Sequence, residues 1–123
     1  MTLVDQTPSV TGANEWMPVC DLTALEIERG RAALVCGVQL ALFLLPDGRV
    51  HAVQNLDPYS DAHVISRGIV GTRQGAPTVA SPMYKQVFDL RTGACVETQS
   101  KDARPLRVWP AAVRDGVVLV RWS

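Results

Sequence analysis

The chain has 123 residues, enough for one domain with one core. Hydrophobic residues make up 47% and charged residues 20%, with 12 Lys and Arg against 12 Asp and Glu, so the formal charge is zero. That balance is of an ordinary globular domain, and it speaks against nucleic acid and against a membrane surface as partners. The longest apolar run, residues 38–45, is interrupted by Gln39 and falls far short of the roughly 20 residues a membrane helix needs.

Residues 1–14 contain no Lys or Arg and no apolar signal core, and they are rich in Thr, Ser, Gly and Pro. They are expected to form a flexible lead-in to a domain spanning 15–123, with the cytoplasm as its compartment. Residues 16–20 read as a first strand. Asp21-Leu22-Thr23 reads as a helical turn that Asp21 or Thr23 can cap. Residues 31–36 and 38–45 read as two strands of a hairpin turning at Gly37. Pro46-Asp47-Gly48-Arg49 is a turn, and residues 50–54 are the next strand.

A loop-rich stretch follows, residues 55–82, with Gly68, Gly71 and Gly75 between short apolar pieces. Gly68-Ile69-Val70-Gly71 reads as a loop turn. Residues 85–90 resume a strand, closed by Arg91-Thr92-Gly93, and 99–104 is a polar loop. Residues 106–113 and 117–122 make a final hairpin across Arg114-Asp115-Gly116. About eight short strands without sustained helical period predict an all-β, antiparallel sandwich or small barrel. Loops as long as 55–84 inside a compact domain are usually functional, so the site is sought there.

The three cysteines, Cys20, Cys36 and Cys95, are odd in number and include no C-x-x-C pair. They are expected to be reduced thiols, Cys20 and Cys36 as small buried hydrophobes in strands and Cys95 in a turn. His51 is placed on a strand in a core or surface role, and Trp16, Trp109 and Trp122 in core or edge packing. No phosphate-binding or dinucleotide-binding glycine loop is present, and no Ser lies in a nucleophile motif.

Asn55-Leu56-Asp57-Pro58-Tyr59 resembles the place of the Cys-Pro-His element of Rieske ferredoxins. Ser81-Pro82-Met83-Tyr84 resembles the place of their Cys-Pro-x-His element. Phe88-Asp89-Leu90-Arg91-Thr92-Gly93 is similar to the strand and turn that follow. The resemblance covers about 16–122 and implies a Rieske-like fold with a loop-rich cluster-type subdomain. Rieske centres hold one iron by two Cys and the other by two His. Carried over, the four positions are Asp57, Tyr59, Ser81 and Tyr84, and none offers a thiolate or an imidazole. No cofactor, metal or catalytic residue is therefore expected in this chain.

The only two tyrosines of the chain stand at the two histidine positions. They are expected to fill the vacated space, with Asp57 or a loop carbonyl as hydrogen-bond partner. Two rival readings are that the four are unconnected exposed side chains, and that Asp57, Tyr59 and Tyr84 hold a single hard metal such as ferric iron.

Within the Rieske-like group the chain resembles the small subunits of bacterial assimilatory NAD(P)H-dependent nitrite reductase. The carriers are Asn55-Leu56-Asp57-Pro58-Tyr59-Ser60, Ser66-Arg67-Gly68-Ile69-Val70-Gly71 and Ala80-Ser81-Pro82-Met83-Tyr84-Lys85-Gln86. The resemblance implies a non-catalytic, cytoplasmic accessory chain docked on a large subunit that carries FAD, siroheme and an iron–sulfur cluster. Asp57, Tyr59, Ser81, Tyr84 and Lys85 mark the suspected docking loops, with Arg67 beside them. The alternative is a stand-alone binding or regulatory module that uses the ligand-free pocket.

Overall fold

The computed structural model describes residues 15–122, so the expected lead-in at 1–14 lies outside the described residues. Eleven strands and two 3-10 turns follow one another: β1 (Glu15–Asp21), a turn at Leu22–Ala24, β2 (Arg31–Val35), β3 (Val38–Leu44), β4 (Val50–Gln54), a turn at Ile65–Arg67, β5 (Ile69–Arg73), β6 (Ala76–Ala80), β7 (Val87–Asp89), β8 (Cys95–Glu97), β9 (Val108–Trp109), β10 (Ala111–Arg114) and β11 (Val117–Trp122). They build three antiparallel sheets, in the orders β1-β11-β10, β2-β3-β4-β9 and β5-β6-β7-β8. The all-β antiparallel architecture is the one the sequence predicts.

Three hairpins turn on two left-handed residues each: Cys36-Gly37, Gln74-Gly75 and Asp115-Gly116. Such pairs match the right-handed twist of the strands they join. Cys36 therefore sits exposed in a turn and is not the buried strand residue expected. Gln74-Gly75 closes β5 onto β6, with Ile69 opposite Ala80 and Arg73 opposite Ala76. The stretch read as loop thus contains a hairpin, and Ile69 and Val70 belong to a strand. The turn was missed because Gln is a poor turn residue by composition.

Residues 106–113 are not one strand either. Pro110 has no N–H to offer a ladder and separates β9 from β10. β9 pairs with β4, Ala52 opposite Trp109, whereas β10 pairs with β11. One short segment therefore crosses from one sheet to another. Trp109 and Trp122 stack across that crossing, with ring centroids 5.5 Å apart. Trp16 is largely exposed, with the Arg121 guanidinium 5.9 Å from its ring.

β3 is the centre of the domain. Leu40, Leu42 and, from neighbouring elements, Leu25, Val50, Ala52, Val118 and Val120 form one core. Ala41 and Phe43 point the other way and join Leu45, Val53, Ile65, Val79, Phe88, Leu90 and Leu106 in a second core. Successive strand residues face opposite sides of a sheet, so a continuous apolar run such as Leu40-Ala41-Leu42-Phe43 is what a strand covered on both faces requires. Each fully buried large side chain contributes about 1.5–3 kcal/mol. The second core is the platform under the two loops of interest.

His51 is half-buried on β4. Burial holds its imidazole below the ordinary value, with Asp47 pulling weakly the other way. The unfolded chain then takes up the proton more readily than the folded one. Stability is expected to fall as pH drops through about 6.5, the free imidazole value. Denaturant midpoints at neutral and mildly acidic pH should differ less for His51→Gln than for wild type; an equal difference would sink this reading.

Candidate functional site

The first loop leaves β4 at Asn55, whose side chain is fully buried. Its Nδ2 donates to Gln39 Oε1 at 3.0 Å and to the His63 carbonyl at 3.3 Å, and its Oδ1 accepts from the Ser66 N–H at 2.7 Å. One amide thus pins both ends of the loop to β3. Within the loop the Asp57 N–H donates to the Ala62 carbonyl at 2.8 Å, and the Asp61 N–H to the Asp57 carbonyl at 2.8 Å. His63 contributes its carbonyl here and stands apart from any partner ligand.

The second loop joins β6 to β7. Its base is closed by the Ser81 N–H donating to the Gln86 carbonyl at 2.9 Å. Lys85 takes a left-handed backbone, so the predicted strand begins only at Val87.

The two loops meet at Asp57 and Ser81. Asp57 is 0% exposed and Ser81 is buried. The Ser81 hydroxyl donates to Asp57 Oδ2 at 2.5 Å, while Asp57 Oδ1 accepts from the Tyr59 N–H at 2.9 Å. Ser81 Oγ also accepts from the Met83 N–H at 3.2 Å. The two positions that would be thiolates in a cluster site are therefore tied by a short hydrogen bond. That bond joins the loops as a metal would, and it consumes the oxygens that might have held one. Asp57 lies beneath the loops, not at an exposed tip.

The two tyrosines part company. Tyr59 turns inward: its ring lies 6.2 Å from that of Phe88, and the Arg104 guanidinium is 5.6 Å from its centroid. Its hydroxyl donates to the Asp102 carbonyl at 2.6 Å and accepts from the Arg104 N–H at 2.8 Å. Arg104 Nη1 returns a bond to the Pro58 carbonyl at 2.9 Å. The partner expected as a loop carbonyl is thus one from the polar loop at 99–104, and not Asp57. Cys95, on β8 and not in a turn, places its Sγ 3.4 Å from the same hydroxyl. Tyr84 is 53% exposed and fills no interior space.

Tyr59→Ala should therefore destabilise the domain by about 3 kcal/mol, the range for a packed aromatic. Tyr84→Ala should stay within about 0.5 kcal/mol of wild type. Equal losses in chemical denaturation would refute the division of roles.

These residues do not fit a [2Fe-2S] cluster. Sulfide-bridged iron takes thiolate and imidazole ligands, and the four positions offer a carboxylate, a serine hydroxyl and two phenols. A single hard metal fares no better. Burial, helped by the bond with Cys95, pushes the Tyr59 hydroxyl above the ordinary phenol value and so away from the phenolate a metal would need. No group of three or more His, Cys, Asp or Glu among the described residues is arranged to hold a metal ion. Incubation of the pure chain with ferrous iron and sulfide is expected to leave no visible absorption after desalting; a stable red-brown protein would overturn this.

What the fold and loops define is a Rieske-type domain whose cluster positions are refilled with oxygen chemistry. The chain belongs to the Rieske-like [2Fe-2S] domain family, which matches residues 15–121. It is 35% identical over 109 residues to the NADH nitrite reductase small subunit of Escherichia coli K12, covering 88% of this chain and 98% of that one. It therefore takes its place among the nitrite reductase small subunits. A crystal structure of a Mycobacterium tuberculosis chain assigned as the NADH-dependent nitrite reductase small subunit superposes with a TM-score of 0.81 at 42% identity, covering 89% of this chain and 96% of that one. A segment of the nitrite reductase [NAD(P)H] large subunit of Klebsiella oxytoca is 40% identical over 105 residues, 85% of this chain but 11% of that protein. No helix among the described residues is long and apolar enough to cross a membrane.

Sequence reasoning found the loops but missed what holds them: Asn55 as the pin, the Asp57–Ser81 bond, the Asp102 and Arg104 backbone as the seat of Tyr59, and Gln86. Only Asn55 had a visible signal, a polar residue closing an apolar strand.

Proposed function

We propose that this chain is the non-catalytic small subunit of a cytoplasmic NAD(P)H-dependent nitrite reductase serving the reduction of nitrite to ammonium in nitrate assimilation. It works by docking on a large subunit that carries FAD, siroheme and an iron–sulfur cluster. The observation that supports this most is the Klebsiella oxytoca large subunit, which contains a stretch 40% identical to this chain. In that protein a domain of this kind is part of the same polypeptide as the rest of the enzyme. Covalent joining holds two units at an effective concentration of about millimolar. A separate chain needs a docking surface to do the same.

The surface we favour is the pair of former cluster loops. Met83 and Tyr84 are large, apolar and exposed, and Lys85 stands beside them. Aromatic and methionine side chains are enriched in interface cores. Asp57 and Ser81 serve below, by fixing the loops, and Tyr59 by seating them. The stand-alone module reading gains no support from relatives that are nitrite reductase subunits over most of their length.

The test pairs the purified chain with a nitrite reductase large subunit from the same organism. The complex should survive size exclusion, and NAD(P)H-dependent nitrite reduction should be faster or longer-lived than with the large subunit alone. Absence of both complex and rate effect would end the proposal.

A further inference from the structure

Gln86 is 0% exposed, and neither its amide nitrogen nor its amide oxygen has a hydrogen-bond partner in the described structure. Its backbone carbonyl is engaged by the Ser81 N–H, so only the side chain is orphaned. Buried amides in folded proteins are almost always paired, and each exception calls for an explanation. Gln86 borders a cavity of about 460 Å³ whose other walls are Tyr59, Tyr84, Gln99, Lys101, Asp102 and Arg104.

An amide presents one donor and one acceptor side by side. The N–H and C=O of one residue in an extended segment point the same way and satisfy both at once, which an anion or an apolar side chain cannot do. The cavity mouth adds charge. Lys101 and Arg104 outnumber Asp102, Lys85 is adjacent, and neither lysine enters an ion pair among the described residues. Exposed Met83 and Tyr84 supply apolar area at the same rim. Between the two sides of the rim, Gln99 Nε2 donates to the Lys85 carbonyl at 3.1 Å. Lys85, Gln99 and Ser100 all take left-handed backbone, which non-glycine residues rarely adopt. Parting that bond frees a further donor and acceptor at the rim for a visitor.

We infer that this cavity receives an extended, acidic segment of the large subunit, with the N–H and C=O of one of its residues paired to the Gln86 amide and a carboxylate held by Lys101. The inference rests on the docking reading above and adds the chemistry of the contact. The Gln86 amide is then buried at a cost to the free chain that the complex recovers.

Gln86→Leu keeps the volume and removes both orphaned groups. In the free full-length chain its melting temperature should equal or exceed that of wild type. Its affinity for the purified large subunit, measured by calorimetric titration, should fall by about tenfold or more. Lys101→Glu, on an exposed side chain that seats nothing, should weaken binding by a similar factor at low salt, with the difference shrinking at high salt. If wild type binds and both variants bind as tightly, the inference is wrong while the docking reading stands. If Gln86→Leu loses stability and binds normally, the amide has an internal role only, and the inference also fails. Should Gln86→Leu not fold, Lys101→Glu decides. No binding by wild type would sink the docking reading itself.

Discussion

Asp57→Ala lowers the stability of the isolated chain by about 2–4 kcal/mol, the cost of stranding buried polar partners. The expected fall in melting temperature is roughly 10 °C for a domain of this size. Asp57 is fully buried and answers two donors, the Ser81 hydroxyl at 2.5 Å and the Tyr59 N–H at 2.9 Å. Removing the carboxylate leaves both without an acceptor and unties the loops from each other. Ser81→Ala leaves the Tyr59 N–H satisfied but strands Asp57 Oδ2 and the Met83 N–H, and should cost about 1–3 kcal/mol. The double variant should lose less than the sum, because the two residues share one bond. Additive losses in a double-mutant cycle would show that the bond does not couple the loops.

Gly93→Ala should be more severe, costing above about 4 kcal/mol and leaving little or no folded protein. Gly93 has φ +82°, and a Cβ there would lie 2.0 Å from the Leu106 carbonyl oxygen. The neighbour is backbone and cannot step aside. The same residue holds two bonds, its N–H donating to the Asp89 carbonyl at 2.7 Å and its carbonyl accepting from the Leu106 N–H at 2.8 Å. Through Leu106 the strain reaches the second core and the chain that seats Tyr59. Gly48→Ala is the control: φ is +88° there, but nothing lies within 4 Å of the added carbon. That substitution should cost about 1 kcal/mol, the backbone term alone. Similar urea midpoints for the two variants would refute the packing argument.

The pair also shows how far local sequence carries. Both glycines stand in turns that were legible from composition, Pro46-Asp47-Gly48-Arg49 and Arg91-Thr92-Gly93. Nothing local distinguishes them, yet one faces solvent and the other a carbonyl thirteen positions further along the chain.

The amino-acid sequence by itself determined the all-β class, most strands, the Asp115-Gly116 hairpin and the loss of the cluster ligands. Those properties depend on residue identity and on alternation within a few residues, which any conformer of the chain carries. It did not reveal the Gln74-Gly75 hairpin, because Gln at the first turn position carries weak turn chemistry. It did not reveal that Pro110 parts two sheets, since a proline is also tolerated within an edge strand, which is how residues 106–113 read.

The site was legible in its membership and not in its wiring. Tyr59 and Tyr84 occupy equivalent motif positions, and the sequence offers no reason to treat them differently. Tertiary structure sends one onto Phe88 and the Asp102 carbonyl and leaves the other in solvent. The Asp57–Ser81 bond spans 24 residues and the Tyr59–Asp102 bond 43. A side chain on a loop takes its direction from the surface it meets, and here that surface is built by strands distant in the chain. Residue types ruled the cluster out; only the fold decided that the gap between the loops is closed by a serine hydroxyl on a buried carboxylate.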